Sequence, residues 1–366
     1  MERRDVMIVV WASFFIWTVF NSLFLIPLPK RPQIATRPLV SVLVPLRNEE
    51  RNVVRLVRSL KQLTYESVEF LLLDDQSTDR TYELLLKETK GDNRFQIRKG
   101  KPLADGWVGK VHACHQLAKQ AKGAYLFFID ADVELKPMVI EQLLAVATTY
   151  DAKLVTGFPS FHPQSLPLVG KWLVPLQHFF ILFHLPLYLA NYTNMRATTA
   201  AHGACLFFER AAYEAIGGHA SVKQEIVEDV MIARRMKSCG YRVILANVST
   251  HIVCYMYETN KEVWSGFIKN VYVGLNRSPL FVMILTIFYG TFYVAPLFIA
   301  PFAITKGWTY ALPLVIVIMQ KAYVEWKTER SISTCYWMPL SVAAFIVLMY
   351  ASMRAKRYEW KGRTYT

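Results

Sequence analysis

The sequence predicts an α/β protein with a mostly parallel sheet, helices on both faces of it, and membrane helices towards its two ends. Three observations carry that expectation. Short apolar runs at residues 39–45, 68–73 and 124–129 alternate with segments of helical spacing, the pattern of βαβ units. Long uncharged stretches flank this hydrophilic middle, at residues 6–29, 278–305 and 331–353. The run Tyr125-Leu126-Phe127-Phe128-Ile129 ends in Asp130-Ala131-Asp132, which puts two carboxylates at the C-terminal edge of a strand, where open α/β sheets carry their sites.

Taken in order, residues 6–29 are apolar enough for a helix of about 20 residues to cross a bilayer. A secretory signal peptide is the competing assignment. The run is too long for one, and no small-residue cleavage site precedes Pro27, Pro29 and Pro32. A retained anchor with an extended, proline-rich linker is therefore expected over 1–37. At the other end, 278–353 holds two stretches long enough to span. Between them, residues 307–320 are uncharged for only about 14 residues, which suits a re-entrant or interfacial helix as well as a true span. The C-terminal region thus has two or three membrane helices and the chain three or four. The tail 354–366 is basic through Arg354, Lys356, Arg357, Lys361 and Arg363, a pattern kept on the cytoplasmic side. Three spans satisfy this with the hydrophilic middle also cytoplasmic, in a multi-pass protein of the cell membrane, whereas four place the tail outside.

Forty-two Lys and Arg residues against 28 Asp and Glu give a net charge of +14 without a long basic tract. Beside membrane helices, that balance points to anionic headgroups and phosphorylated substrates, not to nucleic acid. Cys114, Cys205, Cys239, Cys254 and Cys335 have no paired spacing, which argues against a zinc site or disulfide framework and suits buried thiols in a reducing compartment.

The region 38–277 reads as the catalytic domain. A strand at 39–45 leads through Arg47-Asn48-Glu49-Glu50 to a helix over 52–62, and a strand at 68–73 ends in Asp74-Asp75-Gln76-Ser77-Thr78-Asp79 before a helix over 81–88. Gly106-Trp107-Val108-Gly109-Lys110 opens a helix over 111–121. Its backbone N–H groups and Lys110 could face a phosphate, although an ordinary helix entry has the same composition and the Walker spacing is absent. Asp130 and Asp132, two residues apart on an extended segment, can share one hard cation such as Mg²⁺. A strand end with a solvated turn would look the same.

Residues 166–190 are almost wholly apolar apart from Lys171, Gln177, His178 and His184, and Pro167, Pro175 and Pro186 forbid one straight span. They read as a helical pair lying on the membrane surface, or as a buried core helix, with the histidines satisfied in either case. Next, Ala201-His202-Gly203-Ala204-Cys205-Leu206-Phe207-Phe208 reads as a strand whose glycine lies close to a ligand or to another backbone. A helix over 210–216 stops at Gly217-Gly218. Val227-Glu228-Asp229-Val230 leads a helix over 231–237, followed by a strand at 241–245. Acids at a helix N-terminus are favoured there even without a function.

In this order, Val44-Pro45-Leu46-Arg47-Asn48-Glu49-Glu50, Asp74 to Asp79, Gly109-Lys110, Asp130-Ala131-Asp132, Gly217-Gly218 and Glu228-Asp229 resemble family 2 glycosyltransferases of the GT-A (nucleotide-diphospho-sugar transferase) fold. The resemblance implies a membrane-bound hexosyltransferase. Asp75, or less favourably Asp74, would recognise the uracil of a UDP-sugar, with Glu49 lining the nucleotide pocket and Asp79 either completing the motif or capping a helix. Lys110 would approach the phosphates. Asp132 would hold Mg²⁺ or Mn²⁺, with Asp130 nearer the ribose and also in the metal motif. Asp229 would be the base of an inverting transfer, accompanied by Glu228.

The Gln-x-x-Arg-Trp motif of cellulose- and chitin-synthase-like members is absent from residues 257–276, where Trp264 and Lys269 stand, so a single transfer is expected. The run from Asp105 to Cys114, Phe128-Ile129-Asp130-Ala131-Asp132-Val133 and Glu359-Trp360-Lys361-Gly362-Arg363-Thr364-Tyr365 are similar to the branch that glycosylates carotenoids. That likeness implies glucose moved to a carotenoid carboxylate or hydroxyl. A transferase acting on a polyprenyl phosphate, sterol-like lipid or diacylglycerol, a non-catalytic membrane scaffold with this fold, and a nucleotidyltransferase remain as alternatives.

Overall fold

The computed structural model describes residues 3–162, 166–328, 332–355, 358–360 and 363–365. Lys356, Arg357 and Lys361 of the expected basic tail, Gly362 and the first residue of the expected span, Ser331, lie outside them. The chain forms two compact units. One comprises Leu25–His162 and Leu187–Met256, and the other Met1–Phe24, Pro163–Pro186 and Tyr257–Thr366. Residues 163–186 and 257–277, which the sequence assigns to the catalytic region, thus fall in the second unit.

The first unit is built on strands β1 (Ile26–Pro27), β2 (Val40–Leu46), β3 (Val68–Asp74), β4 (Phe95–Lys99), β5 (Tyr125–Phe128), β6 (Val133–Leu135), β7 (Leu154–Thr156), β8 (Ser160–Phe161), β9 (Leu206–Glu209), β10 (Val243–Asn247) and β11 (Ile252–Cys254). Eight of them form a sheet in the order β1-β10-β7-β9-β5-β2-β3-β4, parallel except for β9. β6, β11 and β8 form a smaller sheet.

β2 and β3 are buried on both faces, as their mostly apolar sequences, interrupted at Ser41 and Glu69, lead one to expect. Val40, Val42 and Val44 enter one core, and Leu43 enters the core on the other side with Leu71 and Leu73. Ser41 breaks the apolar run without leaving a polar atom stranded: its hydroxyl donates to Glu69 Oε1 at 2.6 Å and accepts the Gly123 N–H at 2.8 Å.

Two local expectations, the strand from Ala201 and the burial of every cysteine, give way to the structure. The strand expected from Ala201 begins only at Leu206, because residues 202–205 make a tight turn in which Cys205 N–H donates to the His202 carbonyl at 2.9 Å. Within the apolar N-terminal run the helix is Arg3–Ser22, 20 residues long, and the run continues into Ile26–Pro27, which pairs with β10 at the sheet edge. Cys239, expected to be buried, is exposed at the C-cap of the helix Glu228–Ser238, and Cys335 is half-buried.

The second unit is helical. Its residues 166–186 are broken at Pro175 into the helices Leu168–Leu173 and Leu176–His184. Leu173, Val174, Leu176 and Phe179 are buried, and Phe179 and Phe183 pack against Tyr293. Two helical stretches, Pro279–Lys306 and Ile332–Arg354, are long and apolar enough to cross a membrane, while Ile8–Ser22 is a shorter apolar helix. The first stretch carries a π turn at Gly290–Val294. The helix Leu312–Lys327 runs on past Lys321, where the sequence pattern stops, because Lys321 Nζ pairs with Glu325 one turn later at 3.1 Å with both side chains buried.

Candidate active site

Strand register brings the acidic motifs to one edge. Leu43 of β2 pairs with Phe128 of β5, and Leu46 pairs with Asp74 of β3. The residues that follow Phe128 and those that follow Leu73 therefore leave the sheet on the same side. β9 runs the other way, and its first residue Leu206 pairs with Phe128, so the turn 202–205 reaches the same edge from the opposite direction.

Four charged groups converge there. Lys110, in the first turn of the helix Gly109–Gln120, places Nζ 2.6 Å from Asp130 Oδ1 and 2.8 Å from Glu228 Oε1. Burial alone would lower its pKa, but Asp130 and Glu228 outweigh that and hold the ammonium well above the ordinary lysine value. Asp229, in the first turn of the helix Glu228–Ser238, accepts the Gly203 N–H on Oδ2 at 3.0 Å and the Val230 N–H on Oδ1 at 2.8 Å. Desolvation, reinforced by the charge of Glu228, raises it to about 7 despite Lys110 nearby. A carboxyl poised there can exchange a proton near neutral pH.

Gly203 is what lets these groups meet. A Cβ at this position would lie 2.6 Å from Lys110 Nζ and 3.0 Å from Asp130 Oδ2. The sequence marked the glycine as a close approach without showing what approaches it. His202, next to it, has its backbone N–H on Thr156 Oγ1 at 3.2 Å, while its Nδ1 accepts the Ala204 N–H at 3.1 Å. Sequence reasoning passed over His202, because nothing in its spacing signals this turn.

Asp132 lies two residues beyond Asp130 of the Lys110 cluster. Its Oδ1 accepts the Cys254 thiol hydrogen at 3.5 Å, since Val133 of β6 pairs with Cys254 of β11. Among the described residues, no three His, Cys, Asp or Glu side chains form a metal-ligand group. Two neighbouring carboxylates still fit a hard cation such as Mg²⁺ or Mn²⁺, which is commonly held by one or two carboxylates with the remaining ligands from substrate phosphates and water.

The remaining predicted residues serve the loops around this edge. Asp74 and Asp75 are buried at the end of β3, and Asp74 Oδ1 has no hydrogen-bond partner among the described residues. Arg47 Nη1 donates to the carbonyls of Asp75 and Gln76, at 2.7 and 3.0 Å, and Thr78 N–H donates to Asn48 Oδ1 at 2.8 Å. Arg47 and Asn48 thereby fasten the first acidic loop to the end of β2. Buried Glu49 accepts from Asn52 Nδ2 at 2.7 Å. Asp79 takes the N–H of Thr81 at 3.0 Å and that of Glu50 at 3.1 Å, and so ties two helix starts together, in keeping with its capping role.

Residues 41–217 match the family model described as Glycosyl transferase family 2. The 4,4'-diaponeurosporenoate glycosyltransferase of Staphylococcus haemolyticus is 26% identical over 277 residues, 74% of this chain and 71% of that one. Its Staphylococcus aureus namesake is 24% identical over 243 residues, 64% of this chain and 61% of the relative, so the match spans under two thirds of that protein. Among solved structures, the mannosyltransferase PcManGT from Pyrobaculum calidifontis, in complex with GDP-Man and Mn²⁺, aligns with a TM-score of 0.54 at 15% identity, covering 95% of this chain and 99% of that one. At that identity the likeness shows a common GT-A-like fold.

Proposed function

The chain is a glycosyltransferase that carries a glycosyl transferase family 2 domain across residues 41–217, and on that premise we propose that it moves a hexose, glucose, from a UDP-sugar to an apolar membrane acceptor with inversion at the anomeric carbon. The convergence of Lys110, Asp130, Glu228 and Asp229 behind Gly203 carries this reading. Asp75, with Asp74 beside it, would read the uracil, and Glu49 would line the nucleotide pocket. Asp130 and Asp132 would hold a divalent cation, which when bound supplies Lewis-acid stabilisation of the leaving diphosphate.

In the reaction, the acceptor oxygen forms a bond to the anomeric carbon as that carbon's bond to the diphosphate breaks, and the bonding pair leaves with the diphosphate. Lys110 adds a fixed positive charge at the edge where that charge develops. Asp229, oriented by the Gly203 and Val230 amides, takes the proton of an acceptor hydroxyl. A carboxylate acceptor brings no proton, and Asp229 then positions it. Glu228 holds Lys110 in place.

The acceptor assignment draws on the relatives named for 4,4'-diaponeurosporenoate. A polyene that stays in the bilayer and exposes only its polar end suits an enzyme held at the membrane by the apolar helices Pro279–Lys306 and Ile332–Arg354, with the catalytic region on the cytoplasmic side. The test is transfer of radiolabel from UDP-glucose, with Mn²⁺ or Mg²⁺, to membrane lipid containing an apocarotenoid acid. Label in a coloured, alkali-labile lipid supports the full reading. Label in a colourless lipid keeps the transferase and discards the carotenoid, and no label from UDP-glucose removes this donor.

A further inference from the structure

The turn at residues 202–205 holds more than Asp229. Its Gly203 amide faces that carboxylate, and its Ala204 amide donates to His202 Nδ1 at 3.1 Å. A ring nitrogen that accepts a hydrogen bond carries no hydrogen, so a neutral His202 has its hydrogen on Nε2. The ring is also fixed edge-on to Phe158, with centroids 5.2 Å apart, and the backbone N–H is anchored on Thr156. The imidazole is thus held by two contacts of its own on an anchored backbone, and the hydrogen bond between ring and chain uses Nδ1, not Nε2–H. Among the described residues no hydrogen-bond acceptor is recorded for it, although the side chain is only half-buried.

His202 directly precedes Gly203, where an added Cβ would meet Lys110 Nζ at 2.6 Å and Asp130 Oδ2 at 3.0 Å, so the turn that carries the ring lies against the lysine–carboxylate cluster. Lys110 is already divided between two carboxylates there. An incoming diphosphate has more acceptor oxygens than that one ammonium can satisfy, and a neutral donor adds a hydrogen bond without adding a second cation next to Lys110.

We propose that His202 is a further substrate-binding residue, its Nε2–H donating to a terminal-phosphate oxygen of the nucleotide diphosphate. The assignment deepens the nucleotide-sugar reading above and rests on it. The test is calorimetric binding of UDP and of UMP, with Mn²⁺, to the full-length protein in detergent, comparing wild type with His202→Phe and His202→Gln. Phe keeps a flat ring against Phe158 and loses the donor, whereas the Gln amide nitrogen can replace Nε2–H.

The expected result is that His202→Phe weakens UDP binding about tenfold or more, the loss typical of a hydrogen bond to a charged group. UMP binding should stay within twofold, and His202→Gln should recover most of the UDP affinity. Equal UDP affinity in wild type and His202→Phe overturns the assignment and leaves the nucleotide-sugar reading intact. Parallel loss of UDP and UMP in both variants overturns it as well, because His202 then serves only to shape the turn. Wild type that binds neither nucleotide overturns the UDP-sugar reading and this assignment with it.

Discussion

Replacing Gly203 with alanine tests whether the cluster acts as a geometric unit. Gly203 is not among the glycines with positive φ, so alanine meets no backbone strain there. The added methyl would stand 2.6 Å from Lys110 Nζ and 3.0 and 3.3 Å from the two Asp130 carboxylate oxygens. Ordinary non-bonded contact begins at about 3.5 Å, so the ammonium has to move by about 1 Å. It cannot do so freely, because it is held at 2.6 Å by Asp130 and at 2.8 Å by Glu228. A displacement of about 1 Å in a positioned group costs on the order of 10²-fold in rate. The assay is initial-rate sugar transfer to membrane lipid at saturating donor, with the thermal midpoint recorded in parallel. A rate reduced about 100-fold with the midpoint within a few degrees of wild type is expected. Wild-type turnover would refute the argument that Gly203 sets the position of Lys110, and a rate loss matched by loss of fold would make the glycine structural.

Asp229→Asn should lower turnover onto a hydroxyl acceptor by about 10²- to 10⁴-fold while donor affinity stays near wild type, measured by separate binding and rate experiments. Because only the ionised carboxylate accepts a proton and desolvation raises its pKa to about 7, kcat/KM for such an acceptor should rise with pH through that region, well above the ordinary aspartate range near 4. A profile flat from pH 5 to 8 would remove Asp229 as the base. Asp132→Ala should abolish the Mn²⁺-dependent part of UDP binding and leave metal-free binding unchanged, as read by calorimetry with and without chelator. Phe127→Ala, at a fully buried central position of β5, should cost about 3–5 kcal/mol of stability by denaturant titration.

How much of this was legible in the sequence depends on the range of the contact. β2 and β3 could be read because a strand buried on both faces is apolar at nearly every position, and the carboxylates of Asp130 and Asp132 stood out because another such run, 125–129, ends on them. The partners of these groups were not legible. Lys110 meets Asp130 across 20 positions of sequence and Glu228 across 118, through a register that no local pattern states. His202 and Gly203 were read as part of a strand because their neighbours are apolar, whereas hydrogen bonding turns the chain there and delivers an amide to Asp229. The same limit operates in the helical unit. Lys321 marks the end of an apolar run if each charge is counted as solvated, but Glu325 four residues later neutralises it within the fold, and the helix continues. Local composition identifies the groups that need a partner, and strand register and helix phase decide which partner each one meets. The Gly203 substitution is therefore the more discriminating test: Asp130→Ala removes a group that composition already marks, while Gly203→Ala leaves every charged group in place and alters only the contact between them.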